Sequence, residues 1–219
     1  LVRTRGDQRQ PKGNLPNRIL HTRVADAVVA TNSVMARHFA EKMRVPAERL
    51  HMILGGVDTE RFRFEPEGRA EVRARYGFTN DECVVGLLGR FDLVKGQRET
   101  IAALAKLVGE GVRNIRLLLL GFSTATLQEE VEAWIREAGM ERYVTITGKV
   151  PDVTACLSAL DVGVVASLWS ETIARAALEI MAARIHFSGG HAGSASRVGT
   201  GCAGGCGRAG WRAAAGGDG

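Results

Sequence analysis

The sequence predicts an α/β fold: a doubly wound, Rossmann-like parallel sheet with helices on both faces. Three observations lead to this prediction. Between residues 82 and 183, short apolar runs typical of buried strands alternate with amphipathic stretches of helical period. The run IRLLLLG (115–121) is apolar almost throughout, as in a strand covered on both faces. The 219 residues suffice for one α/β domain and part of a second.

Each element follows from its own pattern. Asn32 or Ser33 can cap a helix, and Gly77 can end one. The predicted strands are 25–31, 50–54, 82–89, 115–121, 143–148 and 160–167. The predicted helices are 32–43, 67–77, 95–111, 125–140, 153–159 and 171–183. Residues 1–18 are polar and are predicted to be a loop or connector.

The composition of the chain changes at residue 185, where the alternation of strands and helices predicts another buried strand. Residues 185–219 contain twelve glycines and few large apolar side chains. Such a segment cannot bury enough surface to offset the entropy of ordering it. A reading-frame shift near residues 183–185 would explain the change, and a natural glycine-rich linker is the alternative. We therefore expect a disordered or frameshifted tail that replaces the last strand and helix of the sheet.

The composition restricts the possible function classes. The formal net charge is +5, but Lys and Arg are not clustered among aromatic residues, so nucleic acid is not the expected partner. No apolar run is long enough to span a membrane, although a basic surface favours anionic lipid. Cys83 and Cys156 lie in apolar segments and are predicted to be buried free thiols of a cytoplasmic protein. Cys202 and Cys206 have no histidine at a zinc-binding spacing, and no metal site is predicted.

The stretch GRFDLVKG (89–96) directly follows a predicted strand. Ligands of open parallel sheets bind beyond the carboxyl ends of the strands. Arg90 follows the strand end and Lys95 begins the next predicted helix, so both could hold phosphate oxygens. The alternative is two solvated surface charges. Asp92 and Asp161 also flank strands, and turn capping is the interpretation of each.

The stretch SETIARAALE (170–179) places two carboxylates eight residues apart. Glu171 stands at a predicted helix start, where the helix dipole favours an acid. Glu179 lies among apolar residues and needs a partner. That partner could be a structural salt bridge or two hydroxyls of a ribose, and the sequence leaves both open.

Together the two stretches resemble the donor half of family 4-type retaining glycosyltransferases of the GT-B fold. In that family an Arg and a Lys bind the donor diphosphate, which the resemblance assigns to Arg90 and Lys95, beside Gly89. A Glu-x7-Glu element binds the transferred sugar and the ribose, matching Glu171 and Glu179. The turn Gly148, Lys149 and Val150 resembles the segment whose backbone faces the base. ADAVVATNSVMARHF and ILGGVDTERF resemble the passage from acceptor domain to donor domain, and the similarity runs from about residue 20 to 183.

The chain departs from the family pattern after Glu171. The family has Gly-Phe-Gly there, and this chain has Thr172, Ile173 and Ala174, followed by an unexpected cation, Arg175. Helix amides at Thr172–Arg175 could still bind the diphosphate. The variant is most similar to sugar transferases of bacterial lipopolysaccharide and other surface glycans.

The resemblance implies a domain organisation and an activity. Residues 1–60 would end an acceptor-side domain and connect it, 61–184 would be a truncated donor domain, and 185–219 the tail. The expected activity is hexosyl or heptosyl transfer from a nucleotide-diphosphate sugar to a glycan or lipid-linked acceptor, with retention and without metal or cofactor. The expected location is cytoplasmic, in peripheral contact with the inner membrane, and the fragment alone is expected to be inactive.

Two alternatives remain beside this enzyme. The first is a non-catalytic nucleotide-binding remnant that lacks its acceptor domain. The second is an unrelated flavodoxin-like or phosphate-receiver domain. A receiver needs clustered acids at its first strand end, and a flavin site needs a Ser/Thr-rich phosphate loop; neither pattern is apparent.

Overall fold

A computed structural model describes residues 1–5, 10–168 and 175–189 of the chain. The chain divides into two compact units. Of the described residues, 1–5, 10–57 and 175 belong to one unit, and 58–168 and 176–189 to the other.

The first unit contains a three-stranded parallel sheet in the order β1–β2–β3, formed by Val2–Arg5, Ala27–Ala30 and Leu50–Met52. Its helices are α1 (Leu15–Ile19), which continues as a π-helical turn, and α2 (Ser33–Glu41). The Asn32 side chain accepts from the Met35 N–H at 2.7 Å and caps α2, as predicted. Met35 and Phe39 of α2 pack in a small core with Val28 of β2.

The prediction for residues 1–18 was wrong. Instead of a loop, this stretch contains β1 and most of α1, the latter capped by Asn14. The strand was missed because VRTR is short and polar, and its pairing with β2 is a long-range contact. The predicted strand 50–54 is also shorter, ending at Met52, although the Ile53 N–H still donates to the Ala30 carbonyl.

The second unit is a five-stranded parallel sheet in the order β6–β5–β4–β7–β8. Its strands are β4 (Cys83–Leu88), β5 (Ile115–Leu120), β6 (Val144–Ile146), β7 (Val162–Val165) and β8 (His186–Gly189). Its helices are α3 (Pro66–Tyr76), α4 (Gln97–Gly109), α5 (Gln128–Glu137), α6 (Val153–Ser158) and α7 (Arg175–Ala182). The predicted doubly wound α/β fold is confirmed.

The two faces of this sheet carry different helices. On one face, Val85 and Leu87 of β4 share a core with Ile101 of α4 and Val131 of α5. On the other face, Gly86 of β4 lies against Leu160, which follows α6. Gly163 of β7 lies against Ile180, so α7 covers the same face as α6.

Residues 186–189 differ from the expectation of an unstructured tail that begins at residue 185. They form β8, which pairs in parallel with β7 from Val162↔His186 to Val165↔Gly189. A strand needs only a backbone partner and a modest apolar contribution, here Ile185, which is 8% exposed. The rest of the tail lies outside the described residues.

Asp161 does more than the turn capping predicted for it. Its carboxylate lies 2.7 Å from the Arg69 guanidinium and 3.2 Å from that of Arg73, and it accepts from the Val84 N–H at 2.8 Å. Arg73, only 4% exposed, also donates to the carbonyls of Ala159, Thr79 and Glu82. This cluster ties α3 to the amino ends of β4 and β7.

Candidate functional site

The strand order places a ligand crevice at the carboxyl end of β4. From β4 the chain proceeds to β5 and β6 on one side, and then crosses to β7 and β8 on the other. The point where the direction of winding reverses therefore lies between β4 and β7. The connections that leave these two strands lead to helices on opposite faces of the sheet, α4 and α7, and open parallel sheets bind ligands at such a point.

The segment Gly89–Gly96 occupies this position. Its backbone is tied to both neighbouring loops: the Phe91 N–H donates to the Phe122 carbonyl after β5, and the Leu168 N–H after β7 donates to the Val94 carbonyl, each at 2.9 Å. Arg90 and Lys95 are thereby brought to one edge of the sheet. The phosphate-binding segment proposed from the sequence is held by the strand ends on either side.

The Arg90 side chain is largely open to solvent and has few restraints. It is 59% exposed, and its guanidinium lies 3.7 Å from the carboxylate of Asp92. An exposed pair at this distance contributes little to stability, so the guanidinium can exchange its partner for a ligand. Its backbone is fixed, because the Gln97 side-chain amide donates to the Arg90 carbonyl at 2.9 Å.

Lys95 is placed differently from the prediction that it starts a helix. It ends a short 3-10 turn, Leu93–Lys95, and α4 begins at Gln97. The Asp92 carboxylate caps this turn by accepting from the Val94 N–H at 3.2 Å, which confirms the capping expected of Asp92. The predicted helix began at Lys95 because the sequence alone does not show that Gly96 has a left-handed backbone conformation, which separates Lys95 from α4.

The aliphatic part of Lys95 packs over Gly89: a Cβ atom at Gly89 would lie 3.6 Å from the Lys95 Cδ. Burial, and then the neighbouring Arg90 charge, lower the pKa of the Lys95 amine below its ordinary value, while Asp92 opposes the shift. An incoming anion would relieve this cost of placing two cations near one another.

Gly96 permits the close approach of the β4 and β7 loops. Its φ is 74°, and a Cβ atom there would lie 2.2 Å from the Ala166 carbonyl oxygen. Only glycine fits this combination of left-handed backbone and close backbone contact. The residue therefore fixes the spacing between Lys95 and the loop that follows β7.

The remaining predicted residues fall in three groups. Gly148, Lys149 and Val150 form the turn after β6, so they lie at the same edge as Arg90, with Gly148 at φ 67°. Glu179 is a partly buried residue of α7, and Arg175 is the first residue of that helix. Glu171, Thr172, Ile173 and Ala174 lie outside the described residues.

Sequence reasoning overlooked two residues of this edge. Gln97 is 1% exposed and anchors Arg90, but a polar residue at a helix start gave no indication of burial. Phe122 follows β5 and is 44% exposed. Aligning the ends of the two predicted strands would have placed Phe122 beside Arg90.

A separate cavity lies elsewhere in the same unit. A space of about 710 Å³ is lined by Thr59, Arg63, Phe64, Ala182 and Arg184. Ala182 ends α7, which leads from the carboxyl end of β7 to the amino end of β8. The cavity therefore lies away from the edge that carries Arg90, and the strand-end crevice is the better candidate on topological grounds.

Three general features of the described residues bear on what the sequence led us to expect. None of their helices is long and apolar enough to cross a bilayer. Within the same ranges, no cluster of three or more His, Cys, Asp or Glu side chains could hold a metal ion. Cys156 is a buried free thiol, whereas Cys83 is only partly buried.

Solved structures of other proteins share this architecture. A glycosyltransferase from Rickettsia africae ESF-5 superposes with a TM-score of 0.74 at 18% identity, covering 86% of this chain and 50% of its own. The Anabaena protein Alr3699/HepE, solved in complex with UDP-glucose, gives 0.70 at 24% identity, covering 86% and 52%. The fold is that of GT-B glycosyltransferases.

The chain belongs to the family "glycosyl transferases group 1", whose model matches residues 68–187. The putative glycosyltransferase EpsD of Bacillus subtilis is 29% identical over 146 residues, which are 66% of this chain and 37% of EpsD. A GDP-mannose-dependent phosphatidylinositol monomannoside mannosyltransferase of Mycobacterium tuberculosis is 33% identical over 125 residues, or 57% and 31% of the two chains. The chain thus spans about a third of these relatives' length.

Proposed function

We propose that this chain is the donor-binding part of a glycosyltransferase that moves a sugar from a nucleotide-diphosphate sugar to a glycan or lipid-linked acceptor. One observation carries the proposal: Arg90 and Lys95 stand together at the winding reversal of the sheet in a chain of this family. Family relatives support the donor class, since one is named as GDP-mannose-dependent and a structural neighbour holds UDP-glucose.

The proposed mechanism is electrostatic. As the glycosidic bond breaks, charge accumulates on the departing diphosphate, and a fixed cation stabilises that charge more in the transition state than in the ground state. Arg90 can fork two phosphate oxygens, while Lys95 supplies a compact charge whose stem is held over Gly89. By analogy with oxyanion-stabilising donors, each contact would contribute roughly 3 kcal/mol.

The finer assignments belong to the same proposal. Glu171 would hold hydroxyls of the transferred sugar, Glu179 those of the ribose, and the Gly148–Val150 turn would face the base. Transfer would retain the anomeric configuration and need no metal or cofactor. Proton NMR of the first-formed product, and activity in the presence of EDTA, test these two points: an inverted anomer or loss of activity would contradict them.

The finer proposal is hexosyl or heptosyl transfer to a glycan or lipid-linked acceptor of lipopolysaccharide type, with the protein in peripheral contact with the cytoplasmic side of the membrane. A formal net charge of +5 supports attraction to anionic lipid. Co-sedimentation with vesicles of phosphatidylglycerol and phosphatidylcholine tests the membrane contact. We expect binding to rise with the anionic fraction of the vesicles and to fall with salt. Equal recovery of the protein with neutral vesicles would refute the membrane contact.

The donor proposal is tested with Arg90→Ala in the full-length protein. We expect kcat/KM to fall by roughly 10²–10³, because a transition-state contact is removed. Arg113→Ala is the matched control: Arg113 is an exposed arginine before β5, at the opposite edge of the sheet. Equal activity of the two variants would remove Arg90 from the site.

Binding measured separately distinguishes the enzyme from the nucleotide-binding alternative. Calorimetric titration of the wild type with UDP, GDP and ADP should give saturable binding that Arg90→Ala weakens. Binding accompanied by sugar transfer supports the enzyme. Saturable binding without transfer from any nucleotide sugar would support the non-catalytic alternative, and saturation by flavin mononucleotide alone would contradict both.

A further inference from the structure

A large aromatic side chain stands exposed beside the candidate diphosphate site. Phe122 follows β5 by two residues and is 44% exposed, whereas Phe91, one residue beyond Arg90, is 1% exposed. Exposing an aromatic ring forgoes the stabilisation that its burial would give. At the carboxyl edge of a parallel sheet, such a ring is available to a ligand.

The strand pairing makes Phe122 the direct neighbour of Arg90. Leu88 pairs with Leu120 at the end of the β4–β5 ladder, and an isolated bridge then joins Phe91 to Ser123 in the same parallel sense. The two residues of each pair are the same distance apart in the sequence. The pairing register of β4 with β5 is therefore unchanged from Leu88 to Phe91. Arg90 is therefore opposite Phe122, at the strand spacing of about 4.8 Å.

Arg90 and Phe122 also point to the same face. Phe91 belongs to the core beneath α4 and α5, and successive side chains along a strand alternate between faces. Arg90 therefore projects from the opposite face, and Phe122, its partner in a parallel register, does the same. That face is the one covered by α6 and α7, and α7 contains Glu179.

The loop that carries Phe122 is held by hydrogen bonds. The Phe122 carbonyl accepts from the Phe91 N–H at 2.9 Å, and the Thr124 hydroxyl donates to the Phe91 carbonyl at 2.6 Å. The Thr126 N–H donates to the same carbonyl at 3.1 Å. Because the backbone is already ordered, placing the ring against a ligand costs little further conformational entropy.

We propose that the ring of Phe122 stacks on the nucleoside of the donor, an inference that rests on the proposed function. Along the edge of the sheet, β5 lies between β4, with the diphosphate-binding cations, and β6, whose Gly148 turn is proposed to face the base. A ligand that spans these two places passes over Phe122. Every base offers a π-face, so stacking supplies affinity without choosing between uracil, guanine and adenine.

The test compares ligands with and without a nucleoside. In the full-length protein, Phe122→Ala should raise the Kd for UDP or GDP, whichever binds, roughly 5- to 100-fold, the range typical of one lost base stack. The Kd for inorganic pyrophosphate should stay within about twofold of the wild-type value. Phe122→Tyr keeps a stacking ring and should retain wild-type affinity for both.

Phe64→Ala is the matched control, because Phe64 is another exposed phenylalanine of the same unit, at 40%. It should leave every Kd unchanged. If Phe122→Ala behaves like Phe64→Ala, or weakens pyrophosphate as much as the nucleotide, the stacking role is refuted while donor binding stands. If wild-type protein binds neither nucleotide nor pyrophosphate, the proposed function itself fails and the stacking role with it.

Discussion

Replacing Gly96 by alanine tests how closely the β4 and β7 loops approach. A Cβ atom at Gly96 would lie 2.2 Å from the carbonyl oxygen and 2.8 Å from the Cβ of Ala166. Both partners are backbone or backbone-proximal atoms, so a rotamer change cannot relieve the overlap. One loop has to move.

The magnitude follows from two separate costs. A non-glycine residue in left-handed backbone costs about 1–2 kcal/mol, and forcing an extra carbon into a packed position costs about 1–3 kcal/mol more. We therefore expect Gly96→Ala to lower the free energy of unfolding by about 2–5 kcal/mol. The displaced Lys95 should also weaken nucleoside diphosphate binding.

Gly77→Ala separates the two costs. Gly77 has φ 70° and ψ 27° against 74° and 27° for Gly96, but a Cβ atom there has nothing within 4 Å. Its substitution carries only the backbone cost, about 1–2 kcal/mol, and should leave nucleotide affinity unchanged. Urea denaturation followed by circular dichroism measures both variants. Equal losses for the two, within about 0.5 kcal/mol, would refute the close contact at Ala166.

Two further predictions concern charges. In the proposed function the diphosphate binds the protonated form of Lys95, whose pKa is lowered by burial and by Arg90. The affinity for the diphosphate should therefore be full below that lowered pKa and be lost as the pH rises through it, before the ordinary value of 10.5. The wild-type affinity divided by that of Lys95→Arg, measured upward from about pH 7, cancels the titration of the ligand; a constant ratio up to 10.5 would contradict the lowered pKa. Asp161→Asn leaves the buried Arg73 without its carboxylate and should cost about 2–4 kcal/mol in urea denaturation, reduced from the fully buried case because Asp161 is 30% exposed. The control Glu71→Gln breaks an exposed pair and should cost under about 1 kcal/mol; equal costs would show that burial of the cluster is unimportant.

The parts of the fold that the sequence predicted are those with a local cause. β5 was recognised because a run of leucines is stable only between two covered faces, and α4 because its apolar residues recur at helical spacing. β1 and β8 were not predicted. Each is four residues long and is a strand because it pairs with a strand that is distant in the chain.

The candidate site divides in the same way. Arg90 and Lys95 could be selected from the sequence because two cations after a buried strand suit a phosphate. The burial of Gln97 and the left-handed Gly96 could not, because each depends on which loops the sheet brings together. The pairing of Arg90 with Phe122 was overlooked, although the ends of the two predicted strands indicate it once those strands are known to be neighbours.

The sequence by itself determined the class of fold, the order of most of its elements and the residue types available for phosphate binding, because hydrophobic period and charge are properties of short segments. Only the tertiary structure decided which of those residues meet. Asp161 joins two arginines of α3, and Phe122 stands beside Arg90, through contacts between segments far apart in the chain. The parallel pairing of β4 with β5 and β7 is what creates these contacts. It aligns the amino ends of the strands at one edge, where Asp161 lies, and their carboxyl ends at the other, where Arg90 and Phe122 lie.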